Sequence, residues 1–226
     1  MATKVSALVI GAVLLVLGLA VLVATDRTDT FDHAVIEIVR APAYHDGLAF
    51  FGTVTHLGST GAVIVVAAIV VAVGVLIGPW RHGVIGGAVI GLASLGVELL
   101  KALMARARPE ILDPIVVEHG FSFPSGHSTL SMTAYGILAV LVMRTRLPWG
   151  VRAAAVAALG LLVALIGLSR VWLGVHFPTD VIAGWTTGIL VVVAYAAITR
   201  EVSRAPAAAA VDADPGVRRS DRPAPG

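Results

Sequence analysis

The sequence predicts an all-α membrane protein in which six transmembrane helices form one bundle. Hydrophobic residues make up 58% of its 226 residues and charged residues only 13%, whereas soluble domains carry about a quarter charged residues. Mean hydropathy is +0.93. Six separate apolar runs approach or reach the roughly 20 residues that one helix needs to cross a bilayer. These observations also predict that the lipid bilayer is the main partner of the chain.

Composition excludes several function classes. A formal net charge of +2 is too small to suggest a nucleic-acid surface. The chain has no cysteine, so it forms no disulfide and has neither a thiolate nucleophile nor a cysteine-based metal site.

The first apolar run, residues 5–24, follows Lys4 and has the length of one bilayer crossing. Because no small-x-small cleavage site follows, we interpret it as a retained anchor. Residues 26–59 are mixed. Apolar side chains recur there at helical spacing up to Arg40, and aromatic residues lie within 44–56. This pattern predicts short interfacial helices after helix 1, although a solvated loop fits 44–56 equally well.

The remaining spans are expected at about residues 61–77, 83–104, 128–143, 151–168 and 181–198. Together they complete one membrane domain over residues 1–202. The tail, residues 203–226, lacks a periodic apolar pattern and is predicted to be disordered.

The distribution of basic residues predicts the orientation. Six spans place both termini on one side, and most arginines outside the spans lie on that side, including Arg144, Arg146, Arg152 and Arg200. That side should be cytoplasmic, in a multi-pass protein of the plasma membrane. Lys101, Arg106, Arg108 and Arg170 fall on the opposite face, against this bias, and need another explanation.

Alternating topology brings the unusual polar residues to that extracytoplasmic face. Lys101 and Arg108 lie at the end of the third span, on one helical face if the helix persists until Pro109 stops it. The candidate site residues at this face are Lys101, Arg108, Ser125, Gly126, His127, Arg170, His176 and Asp180.

This set of groups suits phosphoryl chemistry. Lys101, Arg108 and Arg170 can neutralise phosphate oxygens, and free backbone N–H groups of Ser125 and Gly126 can donate to the same anion. One histidine can attack phosphorus while the other protonates the leaving oxygen.

Spacing suggests which histidine does which. Asp180 follows His176 by four residues, so its carboxylate can orient that ring as the nucleophile. His127 opens a helix and has no carboxylate nearby in sequence, which leaves it as the acid.

Three motifs resemble the signature of the type 2 phosphatidic acid phosphatase (PAP2) superfamily. They are Lys101-x6-Arg108-Pro109, Pro124-Ser125-Gly126-His127 and Ser169-Arg170-x5-His176-x3-Asp180. The resemblance implies phosphate binding by Lys101, Arg108, Ser125, Gly126 and Arg170, with His127 as acid, His176 as nucleophile and Asp180 as its partner. It also implies a phosphohistidine intermediate and no required metal or other cofactor. Many members have a proline where Ala107 follows Arg106 here, which leaves the role of Arg106 open. Glu98 is expected to be a structural partner of Lys101 or Arg108.

The expected function is hydrolysis of a phosphate or diphosphate on a lipid headgroup. Undecaprenyl (polyprenyl) diphosphate is the favoured substrate, with phosphatidic acid or phosphatidylglycerol phosphate as alternatives. Transfer to an acceptor other than water would share the first half-reaction. A lipid or anion transporter is the alternative from another class, but binding alone needs no proton donor. A zinc site of two histidines and one aspartate is disfavoured because three cations would repel the ion.

Overall fold

The structure is a computed structural model that describes residues 2–40, 44–77, 80–110 and 118–213. Within these ranges the chain forms eight α-helices and no strand, which confirms the predicted all-α class. The helices are α1 Ala2–Ala24, α2 Asp29–Arg40, α3 Tyr44–His56, α4 Thr60–Ile77, α5 Trp80–Met104, α6 Gly126–Met143, α7 Trp149–Trp172 and α8 Pro178–Ala213.

Four helices are each long and apolar enough to cross a membrane. They are α5, α6, α7 and the part of α8 up to Val202. The count rises to six if each of two bent pairs forms one span. One pair joins α1 to α2 with a bend of 95°, and the other joins α3 to α4 with a bend of 47°. The predicted number of six therefore equals the upper count.

Helix α6 lies at the centre of the bundle, in contact with α4, α5, α7 and α8. The core around it contains the fully buried side chains of Val70, Ile137, Ile166 and Tyr195. The outer surface is also apolar. Leu92, Leu95, Leu99 and Leu103 form one stripe of α5 and are each 61–71% exposed. Because α5 is long and apolar enough to cross a membrane, this exposed stripe indicates a bilayer-facing side of the bundle.

Glycines bring α8 against the start of α6. A Cβ atom at Gly184 would lie 2.9 Å from the carbonyl oxygen of Ser125, and one at Gly188 would lie 2.9 Å from that of Thr129. Glycine at these two positions, four residues apart, lets the backbones approach closely. This contact fixes the beginning of α8 beside the beginning of α6.

The predicted third span, residues 83–104, ends where α5 ends, at Met104. Ala105 then adopts a φ of +46°, a left-handed conformation typical of helix termini, so the helix does not persist to Pro109. Residues 203–213, which were predicted to be disordered, continue α8 to Ala213. Residues 207–210 are all alanine, the residue type with the highest helix propensity. The rest of the predicted tail lies outside the described residues.

Candidate active site

The candidate site lies at one end of the bundle, called the site end below. It is formed by the C-terminal ends of α5 and α7, the N-terminal ends of α6 and α8, and the segments that join them. All eight predicted residues lie at these positions, but their roles in the structure differ from one another.

His176 is buried in the turn between α7 and α8, where its two ring nitrogens face different partners. Its Nδ1 lies 3.3 Å from Oδ2 of Asp180 and 3.2 Å from Oγ of Ser122. Nη1 of Arg108 lies 3.1 Å from its Nε2. A guanidinium can only donate, so Nε2 carries the lone pair and Nδ1 the proton. This is the tautomer that a nitrogen nucleophile needs, as the four-residue spacing to Asp180 predicted.

Both carboxylate oxygens of Asp180 accept hydrogen bonds. Its Oδ2 also accepts from the backbone N–H of Phe177 at 2.9 Å and from Oγ of Ser122. Its Oδ1 accepts from Nη1 of Arg106 at 2.6 Å. These contacts leave Asp180 no freedom to rotate, so it fixes the His176 ring.

Arg106, whose role the sequence left open, connects Asp180 to the interfacial helix α2. Its Nη2 donates to Oδ2 of Asp32 at 2.8 Å and to Oγ1 of Thr28 at 3.2 Å. Asp32 in turn accepts from the backbone N–H of Thr179 at 3.0 Å and from its hydroxyl at 2.7 Å. The guanidinium carbon also lies 4.1 Å from the centre of the Phe177 ring. Arg106 and Asp32 are therefore positioning groups that surround Asp180.

Arg108 is held mainly by backbone oxygens. Its donors reach the carbonyls of Val175 at 2.9 Å, Gly120 at 3.1 Å and His119 at 3.2 Å. Nη2 lies 3.9 Å from a carboxylate oxygen of Glu118. The guanidinium is thus fixed beside Nε2 of His176 by groups other than a tight ion pair.

Arg170 is the most deeply buried of the site cations, with 1% of its side chain exposed. Its Nη1 donates to Oγ1 of Thr55 at 2.6 Å, and its Nη2 donates to the carboxylate of Glu118. Glu118, which sequence reasoning missed, therefore contacts both Arg170 and Arg108. Its carboxylate lies where an anion would bind between two guanidinium groups.

Ser125 caps α6 and does not present a free N–H to the site. Its Oγ accepts from the backbone N–H of Ser128 at 3.4 Å and from the Ser128 hydroxyl at 3.1 Å. Its own N–H donates to the carbonyl of Asp180 at 3.1 Å. The expectation of a free Ser125 N–H was wrong, because the close approach of α8 supplies an acceptor. The preceding Phe123–Pro124 peptide bond is cis.

His127 lies in the first turn of α6, within electrostatic range of Arg170, Glu118, His176 and Lys101. Its ring makes no hydrogen bond to any other residue that the structure describes. Lys101 lies beside the same turn, since a Cβ at Gly126 would be 3.4 Å from its Nζ. Lys101 also pairs with Glu98 at 3.4 Å, which confirms the structural partnership expected for Glu98.

A cavity of about 560 Å³ opens beside these groups. Its lining includes His127, Arg170 and Glu118 together with Thr55 and other residues of α3 and α4. Helix α3, for which the sequence left loop and helix open, thus forms one wall of the site.

The electrostatic environment separates the titratable groups. Burial is the main cause that lowers the pKa of His176 to about 4, so its ring is neutral at pH 7. Burial alone would raise the pKa of Glu118, but Arg170, with smaller contributions from His127 and Arg108, lowers the pKa. Burial alone would lower the pKa of Arg106, but Asp180 and Asp32 raise it. The site therefore combines a neutral imidazole at His176 with charged groups.

The arrangement suits an anion better than a metal ion. Among the described residues, no group of three or more histidine and carboxylate side chains could hold a metal ion. Both carboxylates that flank the site cations are already hydrogen-bonded to guanidinium groups.

The residues that sequence reasoning missed are Ser122, Glu118, Asp32 and Thr55. Only Asp32 gave a signal in the sequence, as an acidic residue on an amphipathic helix. Nothing in the sequence linked it to Arg106, which lies 74 residues away.

Comparisons with known proteins agree with this geometry. Residues 82–204 match the family model of the PAP2 superfamily. Phosphatidylglycerophosphatase B of Bacillus subtilis is 30% identical over 177 residues, which cover 76% of this chain and 85% of that protein. Undecaprenyl-diphosphatase of Sulfolobus acidocaldarius is 35% identical over 99 residues, 40% of this chain and 42% of that protein.

The fold is also similar to a solved structure. The crystal structure of a transmembrane PAP2-type phosphatidylglycerolphosphate phosphatase from Bacillus subtilis superposes with a TM-score of 0.78 at 28% identity. The superposition covers 86% of this chain and 96% of that one.

Proposed function

Because this chain belongs to the PAP2 superfamily of membrane lipid phosphatases, we propose that it hydrolyses a phosphomonoester or diphosphate on a lipid headgroup, with His176 as nucleophile. The observation that carries the proposal is the hydrogen bonding of His176. Asp180 and Ser122 face its Nδ1, while Arg108 lies at its Nε2. This arrangement aims a lone pair at the position where a guanidinium can also hold a phosphate oxygen.

The reaction has two steps that balance. In the first, Nε2 of His176 forms a bond to phosphorus and the bond to the leaving oxygen breaks. His127, which takes up a proton when the negatively charged phosphate binds beside it, donates that proton to the leaving oxygen. In the second, His127 takes a proton from water, whose oxygen attacks phosphorus and breaks the P–N bond. Phosphate leaves and His176 returns to its neutral form.

The cations act on the non-bridging oxygens. Arg108 exchanges its contact with Nε2 for the phosphate when substrate binds, and Arg170 and Lys101 complete the anion site with the Gly126 N–H. Ser125 contributes by capping α6. No step is assigned to a metal ion, since the cations supply the charge that a divalent ion would provide.

Three lipids are candidates for the substrate. Phosphatidylglycerol phosphate is favoured by the relative from Bacillus subtilis, because the alignment covers 85% of that protein. Undecaprenyl diphosphate, favoured by the sequence analysis, is supported by a relative of which the chain covers 42%. Phosphatidic acid is a third substrate of the same chemical class.

The deciding experiment measures phosphate release in detergent from these three lipids, with chelator present. We expect release from at least one of them, and none from the His176→Ala protein. Phosphate release that vanished in chelator and returned with zinc would contradict the mechanism. Phosphate release that continued in the His176→Ala protein would overturn the covalent step. Transfer of the labelled phosphoryl group to an added alcohol instead of water would indicate a transferase.

The intermediate can be tested separately with p-nitrophenyl phosphate, whose leaving group needs no proton donor. In the His127→Asn protein the first step should survive and the second should be slow, so phosphoenzyme should accumulate. Loss of phosphate from this phosphoenzyme in acid would identify the labelled residue as phosphohistidine. A His127→Asn protein that never became labelled, although wild type did, would show that His127 has another role.

We also propose that the site faces outward and that both termini are cytoplasmic, on the basis of the basic residues near Arg144 and Arg200. The chain has no cysteine, so a single introduced cysteine reports the side of the membrane on which it lies. Glu110→Cys should react with an impermeant maleimide in intact cells, and Leu147→Cys should react only after the cells are opened. The reverse pattern would invert the topology.

A further inference from the structure

A second cavity, of about 750 Å³, lies at the opposite end of the bundle from the active site. Its lining comes from the start of α5, the second half of α6, the first third of α7 and the middle of α8. Helix α6 begins at the active site and has 18 residues, so a rise of 1.5 Å per residue separates the two ends by roughly 27 Å. The cavity is therefore distinct from the phosphatase site.

The cavity has an apolar wall and a cationic rim. Small and branched side chains of α6 and α8, such as Ala139, Val140 and Ala196, form much of the wall. Arg144, at the C-terminal end of α6, and Arg200, on α8, supply the positive charge. A ligand that fits both parts needs an anionic head and a hydrocarbon chain.

The rim arginines differ from the cations of the active site in having no carboxylate close by. Among the residues that the structure describes, no carboxylate oxygen lies within 4.0 Å of either Arg144 or Arg200. Nη1 of Arg144 lies 3.2 Å from Nδ1 of His82, and its guanidinium carbon is 6.0 Å from the centre of the Tyr195 ring. Within the described part of the chain, both guanidinium groups therefore lack a paired carboxylate, and their positive charge attracts an anion.

The position of the cavity indicates that the anion is a lipid. Trp80 and Trp149, at the starts of α5 and α7, are 58% and 65% exposed at this end of the bundle. Exposed tryptophans at helix ends mark the depth of the lipid headgroups. At that depth, basic pockets between transmembrane helices bind anionic phospholipid headgroups.

We propose that this cavity is a binding site for an anionic phospholipid, with the phosphodiester between Arg144 and Arg200 and part of one chain along the apolar wall. The site is independent of the proposed phosphatase reaction. A soluble phosphate would leave the wall without contacts, and a zwitterionic lipid would leave positive charge uncompensated. An anionic lipid satisfies both parts.

The test is the thermal unfolding midpoint of the full chain in neutral detergent, titrated with short-chain phosphatidylglycerol or phosphatidylcholine. Phosphatidylglycerol should raise the midpoint saturably, and phosphatidylcholine or inorganic phosphate should not. In Arg144→Gln/Arg200→Gln the Kd should rise roughly 30-fold, since each cation contributes about fivefold. The matched control is Arg146→Gln, an exposed arginine of the same connection that does not line the cavity; its Kd should stay within about twofold of wild type.

Further variants keep the outcomes distinct. Arg144→Lys/Arg200→Lys retains the charge and should recover most of the affinity, which covers the case in which the glutamine protein fails to fold. Arg170→Gln should bind phosphatidylglycerol as wild type does, because Arg170 belongs to the phosphatase site. An equal response to phosphatidylcholine, unchanged affinity in a folded glutamine protein, or loss of binding in Arg170→Gln would each overturn the proposal. Hydrolysis of p-nitrophenyl phosphate by the glutamine protein should be unchanged, so failure of this proposal is separable from failure of the phosphatase reaction.

Discussion

The two ends of the bundle hold arginines in different ways. At the site end, Arg106 and Arg170 are nearly buried and each contacts a carboxylate. At the opposite end, Arg152 donates to the carbonyls of Met143 and Thr145, and Arg144 contacts a histidine ring. Buried cations need compensating charge, whereas cations at the bilayer surface do not. The site end therefore holds its buried arginines in fixed positions by ion pairs, whereas the arginines of the other end are suited to the membrane surface.

The largest expected effect is on kcat/KM, compared between two proteins in which one arginine at either end of the bundle is replaced by glutamine. Arg170→Gln should lower kcat/KM by about 10²–10³-fold, because a buried donor to the phosphate is lost. Arg144→Gln should change kcat/KM on p-nitrophenyl phosphate by less than about twofold. Steady-state kinetics in detergent would measure both. Similar losses of kcat/KM in the two variants would contradict the proposed functional difference between the two ends.

The second effect concerns stability. Arg106→Gln should cost about 3–5 kcal/mol in the free energy of unfolding, because it leaves the buried carboxylates of Asp32 and Asp180 without their cation. Arg152→Gln, at the opposite end, should cost about 1 kcal/mol, since it removes only hydrogen bonds to carbonyls. Denaturant unfolding of the two proteins gives the comparison.

Activity distinguishes positioning from a purely structural role of Arg106. If Arg106 orients Asp180, the folded fraction of Arg106→Gln should show a lower kcat with little change in KM, and Arg106→Lys should recover part of it. A folded Arg106→Gln protein with wild-type kcat would show that Arg106 only stabilises the fold.

The third effect depends on pH. Because the pKa of His176 is about 4 in the folded protein and 6.5 when unperturbed, the unfolded chain binds the proton first as pH falls. The contribution of His176 to stability is therefore present above pH 6.5 and is lost between pH 6.5 and 4, by roughly 3 kcal/mol.

The measurement is the unfolding midpoint as a function of pH for wild type and for His176→Gln, which keeps a polar side chain of similar size. The glutamine protein should have a smaller slope between pH 6.5 and 4. Parallel curves for the two proteins would contradict a buried neutral His176.

The smallest effect tests the turn that directs Arg106 toward Asp180. Ala105 has a φ of +46°, a conformation that costs a residue with a Cβ about 1 kcal/mol and glycine almost nothing. Ala105→Gly should therefore raise stability by up to about 1 kcal/mol without loss of activity. Denaturant titration would measure the gain, and a destabilised protein would show that the methyl group packs usefully.

Much of the site was predictable because phosphoryl chemistry requires particular residue types at helix ends. Lys101, Arg108, His127, Arg170, His176 and Asp180 were all chosen from their charge, spacing and expected topology, and the structure brings them to one end of the bundle. The part that failed concerned backbone detail. The hydrogen bond from the Ser125 N–H to the carbonyl of Asp180 does not follow from the side-chain pattern.

The helical class, the approximate spans and the chemical groups of the site can be read from the sequence, because hydropathy and spacing are local properties of the chain. Which charges compensate one another depends on the packing of the helices. Asp32 reaches Arg106 across 74 residues and Glu118 reaches Arg170 across 52. Such pairs form where helices from distant parts of the sequence exclude water. Their energy comes from that shared burial, which no single segment reveals.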